Sequence, residues 1–183
     1  MQRLMALGLL CAATSGVVAA DTYVVDNDHT SVGFKIAHAG ISWVHGRFNE
    51  TTGQILLDDA NSKISFKIQA KSVDTKVKQR DDHLRSPEFF NVEKFPEITF
   101  ESESVEKIEK GLKVAGKVTL LGVTKPLTIE LLGGESTEFP PGVQRIGYVS
   151  NFTIKRSDFE MKAMLGPIGN EVHMEVGLEA IKQ

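Results

Sequence analysis

The sequence predicts an all-β, antiparallel domain with one or two short helices, and three observations carry that prediction. Apolar residues recur with period two along most of the chain, the spacing that gives a strand one buried and one wet face. Clusters of Gly, Pro, Asn and Asp separate these runs as turns do. Only residues 74–96 break the alternation, and no other segment has the apolar stripe of a packing helix.

The first twenty residues stand apart. Met1-Gln2-Arg3 is a short basic start, residues 4–18 are an apolar stretch loosened by Thr14, Ser15 and Gly16, and Val18-Ala19-Ala20 offers the compact residues that a signal peptidase accepts. These are the three regions of a secretory signal cleaved after Ala20, and they predict export. The apolar stretch falls short of the ~20 residues of a transmembrane helix. Leu10 before Cys11 argues against a lipoprotein. Cleavage would remove the only cysteine, which excludes disulfide, thiolate and sulfur–metal chemistry from residues 21–183. Arg3 would leave too, taking the net charge from −3 to −4. Both signs are interspersed, so neither nucleic acid nor stable membrane insertion is expected. The remaining length suits one domain with a real core.

The strands follow in order. Val32, Phe34 and Ile36 alternate first; Ile64, Phe66, Ile68 and Ala70 alternate with Ser65, Lys67, Gln69 and Lys71. Ile98 and Phe100 begin a third run. Leu112, Val114, Val118 and Leu120 form another, with Gly116 where a side chain is due; Leu127, Ile129 and Leu131 come next. Val172, Met174, Val176, Leu178 and Ala180 close the chain. Turns are expected at residues 58–61, 109–111 and 122–124, with Pro126 starting a strand and a longer loop marked by Gly133-Gly134 and Phe139-Pro140-Pro141-Gly142. Within residues 74–96, Ser86-Pro87-Glu88 reads as a helix start, with Ser as cap, Pro in the first turn and Glu at the positive end of the dipole. Eight to ten strands of this kind either stack as two sheets or close as a barrel, and periodicity does not separate the two. About eight strands is the smallest barrel that encloses a ligand.

Several segments together resemble the YceI-like family of bacterial envelope proteins. They are Ser42-Trp43-Val44-His45-Gly46-Arg47-Phe48, Ser72-Val73-Asp74-Thr75, the run at 80–91 (RDDHLRSPEFFN) and Phe95-Pro96-Glu97-Ile98-Thr99-Phe100. Gly122-Val123-Thr124-Lys125-Pro126, Lys155-Arg156-Ser157-Asp158-Phe159 and Gly166-Pro167-Ile168-Gly169-Asn170-Glu171-Val172 follow in order. The resemblance covers essentially all of residues 21–183. It implies a lipocalin-like up-and-down β-barrel of about eight strands, an apolar tunnel holding a polyisoprenoid chain, and a periplasmic location. It implies no catalytic residues, no metal and no cofactor beyond the bound lipid. Where many relatives carry glycine after the Arg156-Ser157-Asp158-Phe159 motif, this chain has Glu160, a departure that would matter for selectivity if it lay at the tunnel mouth.

The leading expectation is therefore a non-catalytic carrier for a long isoprenoid lipid, of polyprenyl phosphate or isoprenoid quinone type. The inner-face candidates are Phe34, Ile36, Phe66, Ile68, Phe100, Val118, Leu120, Ile129, Phe152 and Met174. Phe gives area without a polar group, and Met adapts to a curved chain. Burying one five-carbon isoprene unit gains about 4 kcal/mol gross. The same residues would equally serve a filled core. Arg80 and Arg85 are candidate headgroup partners beside the Ser86 helix start, although such a charged run also suits a solvated helical turn. Phe89 and Phe90 are expected to pin this segment over the barrel. His173 alternates outward, and Asp26, Asp28, His29 and His38 could converge in a turn region, although three or four convergent metal ligands are not shown by the sequence. An alternative is an envelope enzyme acting on a small or lipid-linked substrate through the run at 80–85; a third is an interaction module with a packed core. No hydrolase elbow, phosphate loop, dinucleotide fingerprint or zinc-protease pair is present. The oligomeric state stays open, a homodimer included.

Overall fold

The computed structural model describes residues 20–58 and 61–183, so the expected export signal, apart from Ala20, lies outside the described residues. Eleven strands make eight staves. β1 (Asp21–Val25) runs on into β2 (Ser31–His38), β3 (Ser42–Phe48) into β4 (Thr51–Leu57), and β5 (Lys63–Gln69) into the short β6 (Val73–Asp74), each across a brief break. The helix α1 (Lys78–Arg85) and an irregular link follow. Five long strands complete the chain: β7 (Glu97–Ile108), β8 (Gly111–Leu120), β9 (Val123–Glu138), β10 (Gln144–Lys155) and β11 (Ile168–Lys182).

Each stave is antiparallel to its sequence neighbour. β11 closes the ring by pairing with β2 along its first part (Val176↔Val32) and with β1 at its end (Val25↔Ala180). The result is a closed, eight-stave, lipocalin-like up-and-down barrel with one α-helix among the described residues. Closure removes the exposed edges that an open sheet of this size would carry.

Alternation does its expected work. On β8, Leu112, Val114, Val118 and Leu120 are all buried while Lys113 and Lys117 are exposed. At one end of the barrel, which carries the β4–β5, β7–β8 and β9–β10 connections, Ile55, Val114 and Ala180 (each 0% exposed) pack with Ile64, Leu131, Tyr23 and Tyr148. That end is closed by a filled core. The other end carries the β2–β3, β8–β9 and β10–β11 connections and α1.

Local details depart from the sequence reading. Ser86 does not start a helix but ends one: it caps the C-terminus of α1 with extended φ/ψ (−68°, 167°). A proline disfavours the α conformation in the residue before it, so Pro87 stops the helix rather than starting it. Phe89 N then donates to Ser86 O (3.1 Å) in a turn. Gly133-Gly134 lies inside β9, not in a loop, at φ 113° and 92°. The pairing register shifts just opposite, between Ile146 and Tyr148, and a Cβ on Gly134 would sit 2.9 Å from the Tyr148 ring. Pro126 falls within β9, and the β8–β9 turn is made by Leu121 and Gly122, both at positive φ (54° and 73°) as a two-residue hairpin turn requires. Ala70 sits in a short 3-10 turn after β5.

Candidate functional site

The half of the barrel toward α1 is hollow. A cavity of about 570 Å³ runs inward from that end, within the range of about 300–1,000 Å³ typical of small-molecule sites. All ten inner-face candidates line it: Phe34 and Ile36 from β2, Phe66 and Ile68 from β5, Phe100 from β7, Val118 and Leu120 from β8, Ile129 from β9, Phe152 from β10 and Met174 from β11. They arrive there because each sits at the inward phase of its strand's alternation.

Two seams run beside it. Pairing of β9 with β10 ends at Leu132↔Val149, and beyond it β10 runs on to Lys155 paired only with β11. Between β6 and β7 there is no strand pairing, and residues 75–96 span the gap. Phe89 and Phe90 lie in that span and both line the cavity; Phe90 also packs edge-on against Phe48 (5.5 Å between centroids) and Phe89 against His83 (4.9 Å). They pin the link and wall the cavity together.

The charged run at 80–85 turns out to be mostly scaffolding. Asp81, buried, accepts from Thr75 N (2.8 Å) and Thr75 Oγ1 (2.5 Å). Arg80 lines the rim of the cavity, with Nε donating to Thr75 Oγ1 (2.7 Å) and Nη2 to Thr75 O (2.8 Å). Arg85, the second headgroup candidate, does not line the cavity. Its guanidinium donates to Lys71 O (2.7 Å), Val73 O (2.8 Å) and Asp82 (3.2 Å), tying α1 to β6. Lys78 and the Arg85 contact hold the Asp82 carboxyl below its ordinary range, Lys78 acting first. His83 pairs with Glu88 outside the helix. The helix N-terminus that Ser86 was expected to provide is absent there, so the anion site built on it falls away.

Arg156 has a role that the motif alone did not reveal. It is 2% exposed, and it donates to the carbonyls of Gly169 (2.8 Å), Met161 (3.0 Å), Ala163 (2.7 Å) and Ile168 (3.1 Å). Burial pushes its pKa down. One guanidinium thus rivets the whole β10–β11 connection that forms one lip of the opening. Glu160 in that connection is exposed and does not line the cavity. Its φ of 64° places it in the left-handed region, where glycine is the residue without a Cβ penalty. The backbone alone would therefore favour glycine here, and an exposed side chain off the cavity wall gives this position no contact with the bore. Here the glutamate instead pairs with Lys162, which holds its carboxyl below the ordinary range.

The polar candidates elsewhere separate. Asp26, His29 and Glu179 bring ligand-type atoms within 4.8 Å of one another, but Asp28 and His38 are not among them, and His38 lines the cavity at the far end of β2. Arg145 Nη1 lies 2.6 Å from both Asp26 Oδ2 and Glu179 Oε1, so the cation between those carboxylates is a guanidinium. His173 faces outward, bonded to Thr153 Oγ1 (2.9 Å) and half-covered by Trp43 (5.2 Å between rings).

One inward residue escaped notice in the sequence. Ser150 interrupts the apolar inner face of β10, between Tyr148 and Phe152, is 2% exposed, and lines the cavity. The break in that alternation was visible as a signal.

The comparisons with known proteins agree with this architecture. The family model of the YceI-like domain matches residues 23–180. A UPF0312 protein of Yersinia pestis (strain Pestoides F) is 41% identical over 184 residues, covering 97% of this chain and 95% of that protein. The Campylobacter jejuni YCEI protein superposes with a TM-score of 0.72 at 33% identity, over 86% of this chain and 96% of the other. A polyisoprenoid binding domain from Saccharophagus degradans shares the fold at a TM-score of 0.67 and 17% identity, over 88% of this chain and 98% of the other. By the extent of the domain match and the identity to its relatives, this chain belongs to the YceI-like family.

Proposed function

We propose that this protein is an exported, periplasmic carrier that holds a long isoprenoid lipid in the hollow half of its barrel, and that it binds rather than catalyses. The observation that carries the reading is the cavity of about 570 Å³ walled by Phe, Ile, Leu, Val and Met and open at one end. Such a wall gains about 4 kcal/mol gross per isoprene unit buried, with no specific hydrogen bond needed. Ordering the flexible chain offsets part of that gain, so several units are required for retention. The fold shared with a polyisoprenoid binding domain supports the ligand class. Arg80 and Arg156, which line the cavity, are engaged in holding α1 and the β10–β11 connection, which favours carriage over chemistry.

The test is direct. Protein exported by its own N-terminal segment, purified without detergent and extracted with organic solvent, should release lipids whose masses step by one isoprene unit. Native mass spectrometry should show the matching adduct. Protein that emerges empty and also rejects added geranylgeranyl lipids would overturn the reading.

A further inference from the structure

Deep in the cavity, at the boundary with the filled core, stands one polar atom with nothing to bind. Ser150 Oγ is buried and has no hydrogen-bond partner in the protein. Strand pairing fixes its level: Ser150 opposes Val176, which opposes Val32, which opposes Phe48. Leu178, one inward position further along β11, is still a lining residue, and beyond it Ala180 belongs to the filled core. The surroundings of Ser150 at this depth carry no charge; the charged or titratable residues that line the cavity (His38, Arg80, His83 and Arg156) belong to the open end.

A buried hydroxyl without a partner is destabilising, and native structures rarely tolerate one unless something else satisfies it. An isoprenoid that enters tail first presents only hydrocarbon at this depth and leaves the hydroxyl unpaired. A charged head driven to the same depth would lie among apolar side chains without a counter-ion, which is far more unfavourable. A neutral oxygen satisfies both conditions. The rim points the same way, because Arg156 has all three of its nitrogens engaged by the protein's own oxygens and Arg80 has two.

We propose that the cavity takes a neutral, oxygen-bearing isoprenoid head first, with that oxygen hydrogen-bonded to Ser150 Oγ at the inner end and the prenyl chain trailing to the mouth. The shared chemistry is an uncharged hydroxyl or carbonyl oxygen on a prenyl chain, supplied by a prenyl alcohol or by a prenylated quinone. This inference rests on the isoprenoid reading above.

The experiment compares wild type with Ser150→Ala against four probes of matched chain: geranylgeraniol, a geranylgeranyl quinone, geranylgeranyl phosphate and the headless hydrocarbon phytane. Each is delivered from cyclodextrin and its occupancy is read by native mass spectrometry. The variant should lose about tenfold in affinity for the alcohol, the quinone or both, the equivalent of ~1.4 kcal/mol. Its affinity for phytane should hold or rise. A loss confined to one oxygen-bearing probe identifies the source. Empty Ser150→Ala protein should also melt about 2–4 °C higher, because an unpaired polar group has been removed. No loss for either oxygen-bearing probe, an equal loss for phytane, a lower melting temperature of the empty variant, or a phosphate that binds wild type more tightly than the alcohol overturns the inference alone. Failure of the wild type to take up any of the four probes overturns the isoprenoid reading as well.

Discussion

The two halves of this barrel share their staves and yet one is solid and the other hollow. Toward the closed end β9 is bonded to β10 through Leu132↔Val149 and β1 bridges β4 and β11, while β7 runs past its last β5 pair, Ser65↔Glu101, to Ile108 bonded only to β8. In the open half β9 parts from β10 and no strand joins β6 to β7. Side chains of similar size point inward in both. What differs is filling: Ile55, Val114 and Ala180 are fully buried in the packed core, whereas Phe34, Phe152 and Met174 border open space. The same apolar alternation thus builds a core at one end and a container at the other.

The largest expected effect tests that claim with one kind of truncation in each half. Ile55→Ala removes a side chain that is 0% exposed and fully surrounded, and should lower the unfolding free energy by about 4 kcal/mol in urea titrations. Met174→Ala removes a side chain that already faces space, so fewer contacts are lost, and about 1 kcal/mol is expected. Equal losses at the two positions would break the distinction between the halves.

The same logic applies to adding a methyl. A Cβ on Gly116, where β8 is paired with both β7 and β9, would lie 2.3 Å from the backbone oxygen of Glu101. The backbone there cannot yield cheaply, and Gly116→Ala should cost about 3 kcal/mol. A Cβ on Gly46 meets first the ring of Phe34, at 2.3 Å to its Cζ, and that ring borders the cavity. Gly46→Ala should cost under about 1 kcal/mol while turning Phe34 into the bore and lowering the lipid recovered on extraction. Stability and lipid content measured on the two variants would sharpen the contrast: one substitution acts on folding, the other on capacity.

Much of this was legible in the sequence because period two reports directly which side chains face inward. Phe34, Phe66, Val118 and Met174 were placed on the inner face by phase alone, and the structure puts them there. Phase says nothing about how wide the ring is, so neither the seams nor the division into solid and hollow halves was readable. The barrel, as against a sandwich, came from the resemblance to a family. Ser86 was misread because Ser-Pro-Glu is a good helix start only when the preceding residues are not already helical; Lys78 to Arg85 were, and the proline ended them. Arg85 was misread for a related reason. Its charge suggested a ligand, but its reach brings it to Lys71 O and Val73 O, carbonyls just before and at the start of β6.

The smallest effect concerns acid, and Asp26 is one of its sources. Asp26 sits between β1 and β2, outside the filled core, where its carboxylate accepts from Arg145 Nη1 (2.6 Å) and Asp28 N (3.0 Å) and meets His29 Nδ1 (2.9 Å). The Arg145 hydrogen bond foremost, opposed by burial and aided by His29 and the Asp28 amide, lowers its pKa from 3.8 to about 2. A carboxyl depressed by folding adds stability that is complete above its unfolded value and disappears as pH falls through the folded one. Unfolding free energy should therefore decline between about pH 4 and pH 2, and Asp26→Asn should start lower at neutral pH and lose less across that window. The cavity has no Asp or Glu among its lining residues, so lipid retention should follow global unfolding rather than precede it. Lipid released at a pH where the barrel is still folded would mean that the open half answers to acid on its own, through the depressed carboxyls of Asp82 and Glu160 rather than through Asp26.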